Sequence, residues 1–250
     1  MNKKYISGQF VSKTDIGRVR LTNEDNALAC INARGNVLLL ICDGMGGSNK
    51  GELASSLALN SIQDAFINQR KFFNRAHAIY WMKREIRRAN NLIYDEAQKN
   101  PSYVGMGTTL TAILIVGGFY ISAQVGDSRA YILKNNTLQQ ITEDQTVVAY
   151  LFRTGQISES EMATHPKRHV LLNALGNEPT IEVDFKFANY DNETFLVCSD
   201  GLYNNLDHKV IESVIKSNEP VSTKCDQLIA LANANGGSDN IGIAIWEADK

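Results

Sequence analysis

The chain has 250 residues, of which 44% are hydrophobic and 21% charged, ordinary values for a globular protein with a sizeable buried core. Its formal net charge is −2 at pH 7, so the charge balance makes neither a nucleic acid nor a membrane surface an expected partner. The length fits one large domain or two small ones.

Targeting and redox signals are weak throughout the chain. The first fifteen residues are basic but lack the apolar segment of a signal peptide, and the mostly apolar stretch 110–125 is interrupted by Gly117 and Gly118. Four scattered cysteines without a CxxC pair predict neither a disulfide framework nor a zinc site, which favours a reducing compartment. We therefore expect a cytoplasmic protein without a membrane span.

The first predicted elements are a strand and two helices. Residues 37–42 form a short apolar run, typical of a buried strand, that ends at Asp43 and a group of glycines. Residues 51–69 and 74–99 carry apolar side chains every three or four positions, which predicts two amphipathic helices. The second helix ends before Pro101.

The period of the hydrophobic pattern then changes to that of strands. Residues 108–125 predict a hairpin around two glycines, and 130–142 a second hairpin around two asparagines. Polar loops with one short helix are expected at 144–180. The remaining predicted elements are a strand at 194–199, helices at 210–215 and 225–233, and a strand at 241–246. Hairpins and long helices without βαβ alternation predict a layered α+β fold.

Four aspartates share one local setting. Asp43, Asp127, Asp200 and Asp239 each lie beside a strand end with glycine close by. Each alone is compatible with a simple turn, because Asp and Gly are common turn residues. Glycine also lets a backbone carbonyl approach an ion, and oxygen ligands without His or Cys suit Mg²⁺ or Mn²⁺. Four such sites favour a two-cation centre, a common device for hydrolysing phosphate esters.

A cationic side chain precedes these aspartates. Arg20 lies four residues before Glu24, so it is either a phosphate-binding group or a surface partner of Glu24. A second basic group, on the helix predicted at 74–99, is either a solvated face or an anion site. Ser199 lacks the strand–turn–helix context of a catalytic nucleophile, and we assign it no such role.

Eight segments occur in an order and at separations that resemble a known family. They are GRVRLTNED, DGMGGSNKGELAS, MGTTLTA, VGDSRAY, ITEDQT, HPKRHVLLNALG, CSDGL and GGSDNI. Together they make the chain similar to the bacterial type 2C protein phosphatases, of the metal-dependent PPM family. The resemblance extends over about residues 10–247, nearly the whole chain.

The resemblance implies an architecture and an activity. The expected fold is α+β, with two packed antiparallel β-sheets flanked by helices on both faces, a four-layer αββα sandwich. Residues 1–250 would form a single phosphatase catalytic domain with a flap at about 147–175. The activity would be hydrolysis of phosphoserine and phosphothreonine in proteins by a water bound at a dinuclear Mn²⁺ or Mg²⁺ centre. Phosphorylated proteins, and a serine/threonine kinase that the enzyme opposes, are the expected partners of a monomer.

The resemblance also implies roles for individual residues. Asp43 matches the ligand that bridges the two ions, and the Gly44 carbonyl matches a ligand of the second ion. Asp200 and Asp239 match ligands of the first ion, and Glu24 matches a carboxylate that reaches the second ion through water. The other two positions are Asp127, matching the ligand of a third, weaker ion shared with Asp200, and Arg20, matching the residue that grips the substrate phosphate.

Several positions depart from the family pattern. Met45 stands where eukaryotic members usually carry a histidine proposed as a general acid, so another group must protonate the leaving oxygen. Bacterial members often have histidine at the position of Gln145, asparagine at His169 and arginine at Asn173. These departures concern substrate affinity and the flap rather than the metal chemistry. In the same flap, His165 and Arg168 either contact the phosphopeptide or brace the loop.

Two other functions are compatible with this fold. The first is a pseudophosphatase that binds phosphoproteins or acts as a sensor without catalysis. Against it, the chain retains Arg20, Glu24, Asp43, Asp200 and Asp239. The second is a phosphatase that acts on a small phosphorylated molecule, which only a panel of substrates separates from a protein phosphatase.

Overall fold

In this computed structural model, residues 6–47 and 50–249 are described. They form two antiparallel sheets with helices packed on the outside. The strands are β1 (Gly8–Asp15), β2 (Asp25–Ile31), β3 (Val37–Met45), β4 (Gly107–Thr108), β5 (Leu110–Val116), β6 (Phe119–Val125), β7 (Arg129–Lys134), β8 (Thr137–Gln140), β9 (Asp184–Asn189), β10 (Thr194–Cys198) and β11 (Ile241–Ala248). The helices are α1 (Lys50–Ile67), α2 (Arg75–Lys99), α3 (Val147–Arg153), α4 (Glu159–Met162), α5 (Asp200–Tyr203), α6 (His208–Lys216) and α7 (Val221–Ala234), with a 3₁₀ turn at Pro101–Tyr103.

The strand order defines the two sheets. The first sheet runs β1-β11-β10-β7-β8, and the second runs β2-β3-β5-β6-β9, with the short β4 paired to the end of β3. Every pairing is antiparallel. This is the predicted α+β class with two packed sheets.

The alternation of side chains along β3 shows how the layers are held together. Leu38 and Leu40 belong to the core that the second sheet forms with α1 and α2, whereas Leu39 and Ile41 belong to the core between the sheets. All four are fully buried. A strand covered on both faces reads as a continuous apolar run, which is why the sequence pattern identified it so readily.

Side chains of the first sheet also alternate between a core covered by helices and the core between the sheets. Ile243 and Ile245 of β11 pack with α6 and α7, while Trp246 lies between the sheets. The Trp246 indole N–H donates to the Tyr190 hydroxyl (2.8 Å), which satisfies a buried polar group in the inter-sheet core. The molecule therefore consists of four layers in the order helix, sheet, sheet, helix.

The structure adds three edge strands that the sequence analysis did not predict. They are β1, β2 and β9, and each lies at the edge of a sheet. The strand predicted at 37–42 is also longer than expected, because Asp43 pairs with Asp25, Gly44 with Thr108, and Met45 with Gly107. Asp43 therefore lies within a paired strand rather than just beyond its end.

The cysteines are free thiols inside the layers. Cys42, Cys198 and Cys225 are buried, and Cys30 is partly buried. Burial raises the pKa of the Cys30 thiol to about 11 and that of Cys225 to about 12.

None of the helices in the described part of the chain combines the length and apolarity that a bilayer crossing requires.

Candidate active site

The residues named from the motifs line one cavity of about 370 Å³, where the ends of β3, β6 and β10 and the start of β11 meet their loops. Both sheets contribute, since β3 and β6 belong to the second sheet and β10 and β11 to the first. The seven predicted site residues that line it are Arg20, Glu24, Asp43, Gly44, Asp127, Asp200 and Asp239.

The backbone of Asp43 is fixed on both sides. Its N–H donates to Thr109 Oγ1 (3.0 Å), and its carbonyl accepts from the Thr109 N–H (2.8 Å). Thr109 Oγ1 is in turn 2.8 Å from the buried Ser128 hydroxyl. These bonds hold the carboxylate of Asp43 on a rigid strand end rather than on a mobile loop.

Position 44 requires glycine because the start of α1 packs directly against it, whether or not its carbonyl binds an ion. A Cβ at this position would lie 2.2 Å from the Gly51 carbonyl oxygen at the start of α1, a distance that no side chain tolerates. The chain then turns at Gly46 and Gly47, whose φ angles of +124° and +65° favour glycine. The glycines after Asp43 therefore bring α1 against the strand end.

The first sheet supplies Asp200 and the support for Asp127. Asp200 begins α5, and its Oδ2 accepts from the Asn204 side-chain amide (3.0 Å). The Tyr203 hydroxyl donates to the Asp127 carbonyl (3.1 Å), and the guanidinium of Arg129 lies 3.6 Å from the centre of the Tyr203 ring. The α5 turn thus fixes the relative positions of the two aspartates.

Arg20 and Asp239 form an ion pair at the edge of the cavity, with Arg20 Nη2 2.6 Å from Asp239 Oδ2. The following Asn240 holds the N-terminal loop in place. Its amide donates to the carbonyls of Ile16 and Thr22 (both 2.9 Å), and its Oδ1 accepts from the Glu24 N–H (2.9 Å). This one side chain anchors the segment that carries both Arg20 and Glu24.

The carboxylates disfavour one another's charge. Burial raises the pKa of Asp43 well above its usual range, and Asp25, Asp200, Asp127 and Asp239 raise it further. Burial and neighbouring carboxylates likewise raise the pKa of Asp200, and they bring that of Asp127 to about 6. The carboxylates of such a cluster repel one another when they are ionised, and a bound cation would offset that repulsion.

The donor chemistry fits a hard divalent cation. The lining oxygens come from carboxylates and backbone, the ligand types that Mg²⁺ and Mn²⁺ prefer. Glu24 Oε1 is buried and has no hydrogen-bond partner among the described residues. Within residues 6–47 and 50–249, no three acidic, histidine or cysteine side chains form a group that could hold an ion alone. A cation here would keep several waters, as Mg²⁺ commonly does.

A second cavity of about 960 Å³ continues from the first and shares Arg20, Asp127, His169, Asp200 and Asp239 with it. Its outer wall comes from the segment between 147 and 170, which leaves the sheets and returns beside its own start. Thr146 pairs with Leu171, and the Val147 N–H donates to the Val170 carbonyl (2.9 Å). This wall corresponds in position to the predicted flap.

Sequence reasoning missed two residues of the site. Asp25 is buried behind Asp43, where burial raises its pKa to about 7, and its Oδ2 accepts from the Ser199 hydroxyl (2.6 Å). Ser199 is fully buried and accepts from the Gly242 N–H (2.7 Å), a structural role. Asn240 was the other omission. Both missed residues directly follow a predicted one, and that adjacency was the available signal.

Comparison with known proteins places the chain in a family. The model of the family described as Protein phosphatase 2C matches residues 17–236. The serine/threonine phosphatase stp of Listeria welshimeri is 39% identical over 236 residues, which are 94% of each chain. The chain belongs to the protein phosphatase 2C family.

Solved structures agree with this assignment. The serine/threonine phosphatase Stp1 from Staphylococcus aureus is similar with a TM-score of 0.91 at 31% identity, covering 97% of this chain and 96% of that one. The catalytic domain of the phosphatase PstP, in complex with two manganese ions, gives a TM-score of 0.84 at 30% identity, covering 97% and 98%. The predicted family, fold and enzyme class are confirmed, and this protein phosphatase 2C chain is an enzyme.

Proposed function

We propose that this protein phosphatase hydrolyses phosphoserine and phosphothreonine in proteins, with two divalent cations, Mn²⁺ or Mg²⁺, at the cavity described above. One observation carries the proposal. Seven residues from five of the motifs, between Arg20 and Asp239, line a single cavity of about 370 Å³, and the buried Oε1 of one of them, Glu24, has no hydrogen-bond partner among the described residues. Several acidic groups converging with one arginine side chain is the arrangement expected for phosphate-ester hydrolysis.

The cation ligands follow from the same residues. Asp43 would bridge both ions, with the Gly44 carbonyl and the water-mediated Glu24 on one side and Asp200 and Asp239 on the other. Asp127 would join Asp200 in holding a third, weaker ion. When bound, the cations supply a water that is ionised at neutral pH and positive charge next to the phosphoryl oxygens.

Arg20 is the proposed phosphate-binding residue. Asp239 holds its guanidinium at the cavity edge through one nitrogen, and a guanidinium has five N–H donors in a planar fork. The remaining donors are available to phosphoryl oxygens in the bidentate geometry that arginine favours. Because charge on those oxygens changes during the reaction, the positioned fork contributes to catalysis as well as to binding.

The adjoining cavity of about 960 Å³ is large enough to accept the peptide around a phosphorylated residue. This supports protein substrates over small phosphorylated molecules. Phosphorylated proteins, including a serine/threonine kinase that the enzyme opposes, are therefore the proposed partners. The cytoplasmic location and the monomeric state remain predictions.

The test is phosphate release from a phosphothreonine peptide and from a panel of small phosphate monoesters. Reactions contain the purified protein without metal, with Mn²⁺, or with Mg²⁺, and the variants are Asp200→Asn and the distant control Asp64→Asn. We expect turnover that needs Mn²⁺ or Mg²⁺, favours the peptide, is lost in Asp200→Asn and is retained in Asp64→Asn.

Each alternative has its own result. A folded protein without turnover in any condition would favour the binding or sensor function instead. Turnover that strongly favours a small phosphate ester over the peptide would replace the protein substrate with a metabolite. Turnover that persists in Asp200→Asn would show that the site has been assigned to the wrong residues.

A further inference from the structure

The proposed reaction requires a proton donor, and none of the seven residues assigned to the cations and the phosphate provides one. When the phosphoester bond breaks, the serine or threonine oxygen leaves with the bonding electron pair, and an alkoxide is too basic to depart unprotonated. Met45 lines the cavity, but a thioether has no proton to give. The proton must therefore come from another group that lines the cavity.

Most of the other lining groups are unsuited to this step. Glu24, Asp43, Asp127, Asp200 and Asp239 are the proposed cation ligands, and a ligating carboxylate is ionised. Arg20 keeps its protons under all ordinary conditions. His169 remains, and it is the one imidazole among the described residues that line this cavity. Histidine is the side chain best suited to donate a proton near neutral pH.

The position of His169 also fits the task. It lines both the site cavity and the larger adjoining cavity, so it stands at the border where a peptide side chain would enter the site. The backbone around it is held, because the Val170 carbonyl accepts from Val147 and Leu171 pairs with Thr146. The charged residues that line the larger cavity with it are Arg20, Asp127, Arg129, Asp144, Glu159, Arg168, Asp200 and Asp239.

We propose that His169 is the general acid that protonates the leaving serine or threonine oxygen. This inference rests on the proposed phosphatase activity. Water adds to phosphorus while the phosphorus–oxygen bond to the side chain breaks. The leaving oxygen keeps the bonding electrons and takes a proton from the His169 imidazolium. The products are the free hydroxyl side chain and inorganic phosphate, and the neutral imidazole regains a proton from solvent, which balances the one that the attacking water loses.

The experiment compares two leaving groups in wild type, His169→Asn and the distant control His77→Asn, all with saturating Mn²⁺. The phosphothreonine peptide releases a basic alkoxide, whereas p-nitrophenyl phosphate releases a stable phenolate that needs no acid. We expect His169→Asn to lower kcat on the peptide about a hundredfold and on p-nitrophenyl phosphate less than about threefold. His77→Asn should match wild type on both substrates.

Mn²⁺ binding measured by calorimetry supplies a readout that does not depend on activity. We expect His169→Asn to bind Mn²⁺ as tightly as wild type, and weaker binding would make His169 a ligand and overturn the proposal. Equal losses on the two substrates, or no loss on the peptide, would also overturn it. A wild-type protein inactive on both substrates would instead overturn the proposed function, so the two failures are distinguishable.

Discussion

Asp43 has an unfavourable environment for its own charge. It is surrounded by Asp25, Asp127, Asp200 and Asp239, and burial together with these carboxylates raises its pKa well above the usual range. Such crowding lowers the stability of the folded protein when no cation is bound, because the unfolded chain separates the charges. A residue kept in this setting is typical of a functional site rather than of a structural one.

Replacing Asp43 with asparagine should therefore have opposite effects on activity and stability. We expect Asp43→Asn to lower kcat on a phosphothreonine peptide by about a hundredfold or more, since charge stabilisation in the site is lost. The same change should raise the melting temperature of the metal-free protein, because one repelling carboxylate is removed. Steady-state kinetics and thermal unfolding in a chelating buffer measure the two effects.

Asp64→Asn is the matched control, because Asp64 is an exposed residue of α1 whose side chain lies outside both cavities. It should change neither kcat nor the melting temperature. A lower melting temperature for metal-free Asp43→Asn would show that the Asp43 carboxylate stabilises the fold, contrary to our interpretation.

Individual site residues could be predicted from the sequence where a motif marked them. The aspartates after apolar runs could be named because the change from apolar to acidic is local in sequence. Asp25 and Asn240 could not be assigned a role, because their hydrogen bonds reach residues 174 and 216–224 positions away. No pattern in a single sequence shows which distant polar groups a given side chain will hydrogen-bond.

At the scale of elements, the strands found from sequence are mostly those covered on both faces. β3, β5 and β10 are almost wholly buried, so their apolar runs are unbroken. β1 and β9 are edge strands whose residues are all exposed or only partly buried, and many of them are polar. Their pairing depends on a neighbouring strand that the local sequence does not reveal. The same limit explains why β2 was missed.

The core between the sheets should be the most sensitive part of the fold. Leu39 is fully buried there, while Leu21 is 95% exposed. We expect Leu39→Ala to lower the free energy of unfolding by about 2–5 kcal/mol, through lost burial and the cavity left behind. Leu21→Ala should change it by less than about 0.5 kcal/mol. Urea denaturation measures both, and similar effects in the two variants would contradict the assigned layers.

Gln145 connects the base of the segment between 147 and 170 to the second sheet. Gln145 Oε1 accepts from the Gly126 N–H (3.0 Å) and the Asn173 amide (2.9 Å), while its Nε2 donates to Asp184 Oδ2 (2.7 Å) and the Gln124 carbonyl (3.4 Å). The amide thereby uses both lone pairs and both N–H groups. Two positions that depart from the family pattern, Gln145 and Asn173, thus contact each other.

Removing this connection should loosen the cavity wall. We expect Gln145→Ala to raise the rate of amide hydrogen exchange across 147–170 about tenfold, since several hydrogen bonds are lost at once. Amides of β5 and β10 should exchange at the wild-type rate. Hydrogen exchange followed by mass spectrometry measures this, with the exposed Gln98→Ala on α2 as the control. Unchanged exchange across 147–170 would show that the connection does not hold the wall.

At the scale of the whole molecule, the site joins the two sheets. Asp43 comes from the second sheet, whereas Asp200 and Asp239 flank strands of the first. Cations bound by all three would add a cross-link between the two sheets, beside their shared apolar core and the hydrogen bond from Ser199 to Asp25. A ligand that binds only the folded state stabilises a protein by an amount that grows with the logarithm of the ligand concentration above the dissociation constant.

Mn²⁺ should therefore stabilise the fold as well as support turnover. At about a hundred times its dissociation constant, we expect Mn²⁺ to stabilise the folded protein by about 2.7 kcal/mol for each site. Thermal unfolding over a series of Mn²⁺ concentrations measures the effect. Asp200→Asn should respond far less, and an equal response in that variant would place the bound ions elsewhere.

The buried cysteines give the molecule a practical property. Cys42, Cys198 and Cys225 lie inside the layers, and burial raises the pKa of every thiol in the chain, so little reactive thiolate exists in the folded state. We expect iodoacetamide at neutral pH to modify the native protein slowly and the urea-unfolded protein at all four positions, as mass spectrometry would show. A single cysteine introduced on the surface could then carry a fluorophore selectively, without removal of the native thiols.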